Sequence, residues 1–317
     1  IEARFDGVDV DGFEVAMGGG RRHFIPKDVA FNVEKPVESG AEGDRTDGRN
    51  LPEEWMAKYA DMNVAYVTDK DGFDAIDTES TDKLFGLFNE SHMQYEADRG
   101  NDIAGEPSIA EMTKTAIDVL DNNPNGFFLM VESGRIDHAH HAGNYSGALT
   151  DTVALATAVK AAYEATDPNE TLILVTADHG HVNTMGGYVT RGNPILGKAV
   201  YSAGGDAQPA SDGLPFTTVN YNNGRGFCDL GTETNSDAGY SDTNCPIAAG
   251  ARGEGELRAL PRGDRQREDR GEGQHLIVAG RGAEEGDIER DDRLARGEAV
   301  LKDPVGAAVD VAWLVGI

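Results

Sequence analysis

The chain has 317 residues and a mass of 33.8 kDa, enough for one large α/β domain or two ordinary ones, and too long to need a disulfide scaffold. Its 28 Lys and Arg against 56 Asp and Glu leave a net charge of −28, which excludes a general affinity for nucleic acid or an anionic membrane. The apolar runs Phe127 to Val131 and Leu172 to Val175 are far shorter than the ~20 residues of a membrane span, and the apolar end from Val305 is interrupted by Asp310.

From Ile1 onward there is neither an initiator Met nor a basic-then-apolar leader, which reads as a processed chain or the interior of a longer product. Short apolar runs then alternate with helical patterns, the signature of an α/β fold with a largely parallel sheet. Phe13 to Met17 reads as a first strand running into Gly18-Gly19-Gly20, and Asn63 to Val67 as a second. Leu84 to Phe88 and Gly126 to Glu132 follow as further strands. Pro107-Ser108 opens a helix that runs to about Leu120 and stops at Asn122-Asn123-Pro124. A second helix is predicted from Tyr145 to Ala165, with Leu149, Val153, Ala156 and Val159 near helical spacing, and Thr171 to Thr176 reads as a central strand.

Sixteen residues separate Cys228 from Cys245 in a loop-rich stretch, which leaves a single disulfide or two buried thiols open and excludes a cysteine zinc cluster. Composition changes near residue 250. Nine Arg precede that point and ten follow it, concentrated in a low-complexity string from Arg252 to Arg296, and Arg252 to Gly273 lacks both the 2-residue and the 3.6-residue apolar period of a packed element. The expected organisation is an α/β domain over 1–250 and an Arg/Gly-rich divergent or disordered tail over 251–317. Within that tail only Leu276-Ile277-Val278, as a short strand, and Ala307 to Val315, as apolar cover, carry any ordering signal.

The densest chemistry follows the strand near Val131, in Glu132-Ser133-Gly134-Arg135-Ile136-Asp137-His138-Ala139-His140-His141. On a helix starting near Asp137, Asp137 and His141 stand at i and i+4, so a carboxylate oxygen and an imidazole nitrogen can converge on one cation of the zinc type. A second cluster, Asp178-His179-Gly180-His181, ends the apolar strand Leu172 to Val175. Open α/β sheets bind ligands beyond the carboxyl ends of their strands. Two such ends carrying carboxylate and His therefore point to one shared, binuclear metal site.

These strings resemble the alkaline phosphatase family. The likeness rests on Gly126 to Glu132, Arg135-Ile136-Asp137-His138 with His141, and Thr176-Ala177-Asp178-His179. It is supported by Gly18-Gly19-Gly20-Arg21, the run from Leu87 to His92, the helix opening at Pro107, Gly186-Gly187-Tyr188 and Arg191-Gly192-Asn193-Pro194, and it covers about residues 10 to 225. The resemblance implies a three-layer α/β sandwich, here incomplete, and hydrolysis of phosphate monoesters through a phosphoserine with two zinc ions and one magnesium ion. It further implies that Asp137 and His141 ligate one zinc, that Asp178 and His179 take part in the second, and that Glu132 ligates magnesium. His138 and His181 are expected beside the ligands, orienting them or reaching phosphate through water. His23, His92 and His140 are assigned no chemistry.

The departures from the family pattern lie at both ends. The family's nucleophilic Ser, a shared Asp, a magnesium-binding Ser or Thr and a phosphate-binding Arg precede the segment that matches Gly18, so an impaired activity is expected of this chain. A further zinc-ligating His belongs in a Thr-His-Gly-Glu-Asp type string, where this sequence offers only Gln274-His275-Leu276. His275 is a candidate by ligand type alone. Phosphate monoesters and inorganic phosphate are the implied partners, a homodimer is left open, and the resemblance implies a periplasmic or secreted location. The rival expectations are a catalytically silent metal-binding fragment and a phosphodiesterase or sulfatase of the same fold.

Overall fold

In the computed structural model, residues 12–185, 188–207, 209, 217–221, 274–280 and 310–316 are described. Alternation along one strand shows how the layers arise. In Lys83–Leu87 every residue is buried, and successive side chains point to opposite faces. Leu84 enters an apolar cluster with Met112, Ile117 and Leu120, whereas the Phe85 ring meets Phe13, Phe24 and Trp55 on the other side. Helices therefore cover this part of the sheet from both faces, in three layers.

In chain order the elements are β1 (Val15–Gly18), α1 (Leu51–Lys58), β2 (Val64–Val67), α2 (Lys70–Asp74), β3 (Lys83–Leu87), α3 (Ile109–Leu120), β4 (Phe127–Ser133), α4 (Arg135–Ala142), α5 (Tyr145–Ala165), β5 (Thr171–Ala177), β6 (Asn183–Met185), β7 (Val219–Tyr221), β8 (Gln274–Gly280) and β9 (Asp310–Gly316). Seven strands form one sheet in the order β2-β3-β1-β9-β4-β8-β5, and β6 pairs with β7 apart from it. All neighbours in the large sheet run parallel except β8, which is antiparallel to both β4 and β5. The expected α/β architecture with a largely parallel sheet is thus the one observed.

Local chemistry sets the helix ends that matter for the site. Ser108 and Glu111 form a reciprocal capping box that opens α3, satisfying two backbone donors at once. Gly143, at φ +73°, ends α4 two residues past His141, a backbone position that a side chain adopts only with strain. Asn144 then caps α5 by accepting from the Gly147 N–H. Deep in the fold, the fully buried Arg21 guanidinium is neutralised by Glu42, at 2.6 Å, and by Glu34, and it donates to the Leu87 carbonyl at 2.6 Å.

Two segments of the 251–317 region lie in the sheet, and they overlap the two runs that carry an ordering signal there, Leu276-Ile277-Val278 in β8 and Ala307 to Val315 in β9. The β9 strand lies between β1 and β4, and β8 between β4 and β5. Both contain short apolar runs of strand length, and Arg-rich sequence before and after β8 masks the first of them in a composition window. The presumed boundary at 250, the Arg252 to Gly273 string and both cysteines lie outside the described residues.

Candidate metal centre

The site is assembled from the carboxyl ends of β4 and β5. After Ser133 the chain turns at Gly134 straight into α4, which places Asp137 in the first turn and His141 one turn later. Their side chains meet with His141 Nε2 3.3 Å from Asp137 Oδ2, as the i, i+4 spacing predicts. Beyond β5, His181 Nε2 lies 2.7 Å from Asp137 Oδ1 and His179 Nε2 lies 3.5 Å from the same oxygen. His179 is also 3.8 Å from Asp178 Oδ2. A carboxylate only accepts, so the His181 Nε2 carries the proton it shares with Asp137.

The two sequence clusters therefore converge on one carboxylate. Asp137 has a side chain only 10% exposed, while that of His141 is 63% exposed, so the acid lies at the floor and His141 at the rim. Asp137, His141 and His181 each offer a ligand atom, and all three atoms lie within 4.8 Å of one another. The Asp137 carboxylate oxygen with the His141 imidazole nitrogen suits zinc, while His181, donating its Nε2 proton to Asp137, stands beside that pair in this arrangement.

Glu132 occupies different ground. It is buried near the end of β4 and lines a cavity of about 40 Å³ with Ser133, Arg135, Glu106 and Asp151. Burial holds the carboxyls of Glu106 and Asp151 up at about 7, so charge is poorly accommodated here without a counter-ion. His138 accepts a hydrogen bond from Arg135 Nη1 at 3.2 Å and meets the His92 ring edge-on at 4.4 Å. The Arg135 guanidinium in turn lies 3.7 Å above the Tyr95 ring, a cation–π contact. His23 is a surface side chain near Asp44.

His140, assigned no chemistry from sequence, lies inside the cluster. Its ring stacks on His181 with centroids 4.6 Å apart and an interplanar angle of 22°, and its Nδ1 is 2.7 Å from the Tyr221 hydroxyl. Burial, with the neighbouring His181 adding to it, lowers its pKa to about 4. A signal was present in the chain: His140 follows Asp137 by three residues and so shares its side of α4. For His275, pairing sets the backbone opposite Glu132 on one side and Thr176 on the other. That is the end of the sheet where β4 and β5 deliver the ligand cluster.

Fold and site together define an α/β protein with a metal-ligand cluster at the strand ends, where open sheets bind their ligands. The chain belongs to the alkaline phosphatase family, whose model matches residues 6–246. A tissue-nonspecific alkaline phosphatase of Gallus gallus is 43% identical over 226 residues, which cover 71% of this chain and 42% of that protein. A membrane-bound alkaline phosphatase of Bombyx mori is 42% identical over 216 residues, or 68% of this chain and 36% of the relative. The crystal structure of Thermus thermophilus alkaline phosphatase matches with a TM-score of 0.38 and 24% identity, covering 56% of this chain and 42% of that one. This chain spans about two fifths of the length of the curated relatives it matches.

Proposed function

We propose that the chain forms the zinc-binding part of a phosphate monoester hydrolase. The observation that carries this reading is the convergence of His141, His179 and His181 on the carboxylate of Asp137. In this reading Asp137 and His141 hold one zinc, Asp178 and His179 contribute to a second, and Glu132 serves magnesium from the adjacent buried cavity. His181 orients Asp137 through the hydrogen bond it already makes. Bound zinc would supply the local positive charge that a phosphate dianion needs beside a protein of net charge −28.

The protein's own groups have separable tasks. Asp137, held low and nearly covered, fixes the position of the first cation. The exposed His141 imidazole leaves that position open to a ligand from solvent. Arg135, pinned over Tyr95, keeps His138 in a fixed orientation at the same helix. Substrates are phosphate monoesters and the product is inorganic phosphate. A periplasmic or secreted location follows from the family resemblance, although the Bombyx mori relative is named as membrane-bound; no helix among the described residues is long and apolar enough to cross a membrane.

Turnover by the 317-residue chain should be a small fraction of a complete enzyme's, because covalent phosphoryl transfer needs an activated hydroxyl beside the metals. The resemblance assigns the family's Ser to a segment that precedes the Gly18 match. Ser133 is buried between Glu132 and Gly134, a poor position for in-line attack. The test is metal analysis with paired turnover assays. The chain incubated with zinc and freed of excess should retain at least one ion, and Asp137→Ala with Asp178→Ala should abolish retention. Less than one zinc per chain would overturn the reading. Any turnover should favour a chromogenic monoester over the corresponding diester, and diester preference would reassign the substrate class. Robust monoester turnover that survives Ser133→Ala and disappears on chelation would remove the expected impairment.

A further inference from the structure

We propose that His140 and Tyr221 act as a positioning pair, fixing the plane of the His181 imidazole and through it the Asp137 carboxylate. This deepens the zinc reading above and rests on it. The geometry is a continuous column of rings. Tyr145 at the start of α5 stacks on Tyr221 with centroids 4.4 Å apart and an angle of 28°. The Tyr221 hydroxyl is hydrogen-bonded to His140 Nδ1 at 2.7 Å. His140 stacks on His181 at 4.6 Å, and His181 Nε2 is bonded to Asp137 Oδ1 at 2.7 Å.

Every member of the column comes from a different element except His140 and Asp137, which share α4. The His181 backbone is anchored as well. Tyr221 of β7 pairs with Asn183 of β6, two residues after His181, so the strand pair that carries the phenol also ends the loop that carries the imidazole. Tyr145 and Tyr221 are 6% and 3% exposed, which makes the far end of the column rigid, whereas the His141 end is open. An imidazole in an exposed loop can rotate about two side-chain bonds. Here one face is held by a stacked ring, that ring is held by a buried phenol, and one nitrogen is held by the carboxylate. Removing a group that orients a ligand without touching the metal typically costs roughly 10- to 100-fold in affinity.

Three neighbouring imidazoles give the pair a reason to exist. His140, His141 and His179 all lie with ring centroids about 5 Å from that of His181. Without a fixed partner for His181, these rings could exchange positions around Asp137 and present several competing ligand sets. The hydroxyl of Tyr221 selects one of them by fixing His140.

The experiment compares the full chain with Tyr221→Phe, which keeps the ring and its stacking on Tyr145 but deletes the hydroxyl. Zinc affinity, measured by competition with a chromophoric chelator, should fall by about tenfold or more. Cobalt(II), bound in place of zinc, should show a weaker and shifted visible absorption as its ligand geometry loosens. The melting temperature in chelator should change little, since the packing is retained. His140→Phe keeps the ring stack without the hydrogen bond and should give the same losses. The double variant should be no worse than either single one, because both remove one bond. Unchanged zinc affinity and an unchanged cobalt spectrum in both single variants, with a wild-type chain that binds metal, would overturn the positioning pair alone. A wild-type chain that binds no metal would overturn the zinc reading and this inference with it. Should Tyr221→Phe fail to fold, His140→Phe decides the matter by the same two readouts.

Discussion

Strands β3 and β5 are both short apolar runs in one sheet, yet they meet opposite environments. All five residues of β3 are buried, whereas Leu172, Leu174 and Val175 of β5 are 60%, 48% and 54% exposed. Composition does not separate them. Position does, because β3 lies between β2 and β1 while β5 is the edge of the sheet. Helix α3 packs on the Leu84 side of β3, and Trp55 of α1 packs on the Phe85 side. Along β5, Ile173 packs against the core, but among the described residues no apolar cluster covers the opposite face. The candidate metal centre hangs from this less supported half, and its geometry depends correspondingly on polar contacts: Asp137 gathers three imidazoles, and β6 and β7 tether the loop beyond β5.

The largest expected effect breaks the comparison directly. Leu84→Ala removes a side chain with no exposed surface and leaves a cavity against α3, and should cost about 3 to 5 kcal/mol of stability in urea unfolding. Leu174→Ala, at the exposed end of the same sheet, should cost less than about 1 kcal/mol. Similar losses at both sites would show that β5 is covered in solution as fully as β3.

A second effect, about 4 kcal/mol, tests the covered interior for its intolerance of charge. Asp151 of α5 accepts from the Glu96 backbone N–H, and burial lifts its pKa from 3.8 to about 7. Because the folded state keeps this proton to a higher pH than the unfolded chain does, the contribution to stability is full below pH 4 and is lost as pH rises toward 7. Asp151→Asn cannot ionise and retains an oxygen for the Glu96 N–H. The variant should match the wild type near pH 4 and exceed it increasingly up to about pH 7, with a constant difference above. A difference that stays flat from pH 4 to 8 would mean that Asp151 is already ionised in the folded protein.

How much of this was legible in the sequence follows the same division. The helix expected over about Tyr145 to Ala165 is α5, and the Pro107 opening with its stop at Asn122 brackets α3. Local caps and breakers suffice to define such elements. The i, i+4 pair Asp137 and His141 was readable for the same reason, since one helix determines its geometry. His140 was passed over because its significance depends on Tyr221, 81 residues away in the chain, and on a β6–β7 pairing that no local pattern announces. The apolar runs of β8 and β9 carry a signal for local order, but nothing in the sequence around them says which strands they join. Their place in the sheet depends instead on the gaps that β1, β4 and β5 leave between them. Helix α1 carried the signal of Asn50 followed by Pro52, a cap and an early proline, and its short length hid it from a periodicity search.

The smallest expected effect sharpens the comparison at its open end. Leu172 and Leu174 share the solvent-facing side of β5, two residues apart, and together form an apolar stripe on an edge strand, the kind of surface that associates with other chains. Replacing both with Thr retains good strand propensity and removes apolar area that folding buries only in part. The double variant should therefore unfold within about 0.5 kcal/mol of the wild type, while light scattering at high protein concentration should show less self-association. Zinc retention should be unaffected, since neither side chain is among the residues that meet Asp137. A loss of more than about 2 kcal/mol would mean that something covers this stripe in solution, whether a second copy or another segment of polypeptide. The exposed half of the sheet would then be a docking surface, and its weak packing would reflect a missing layer instead of a tolerance for open apolar surface.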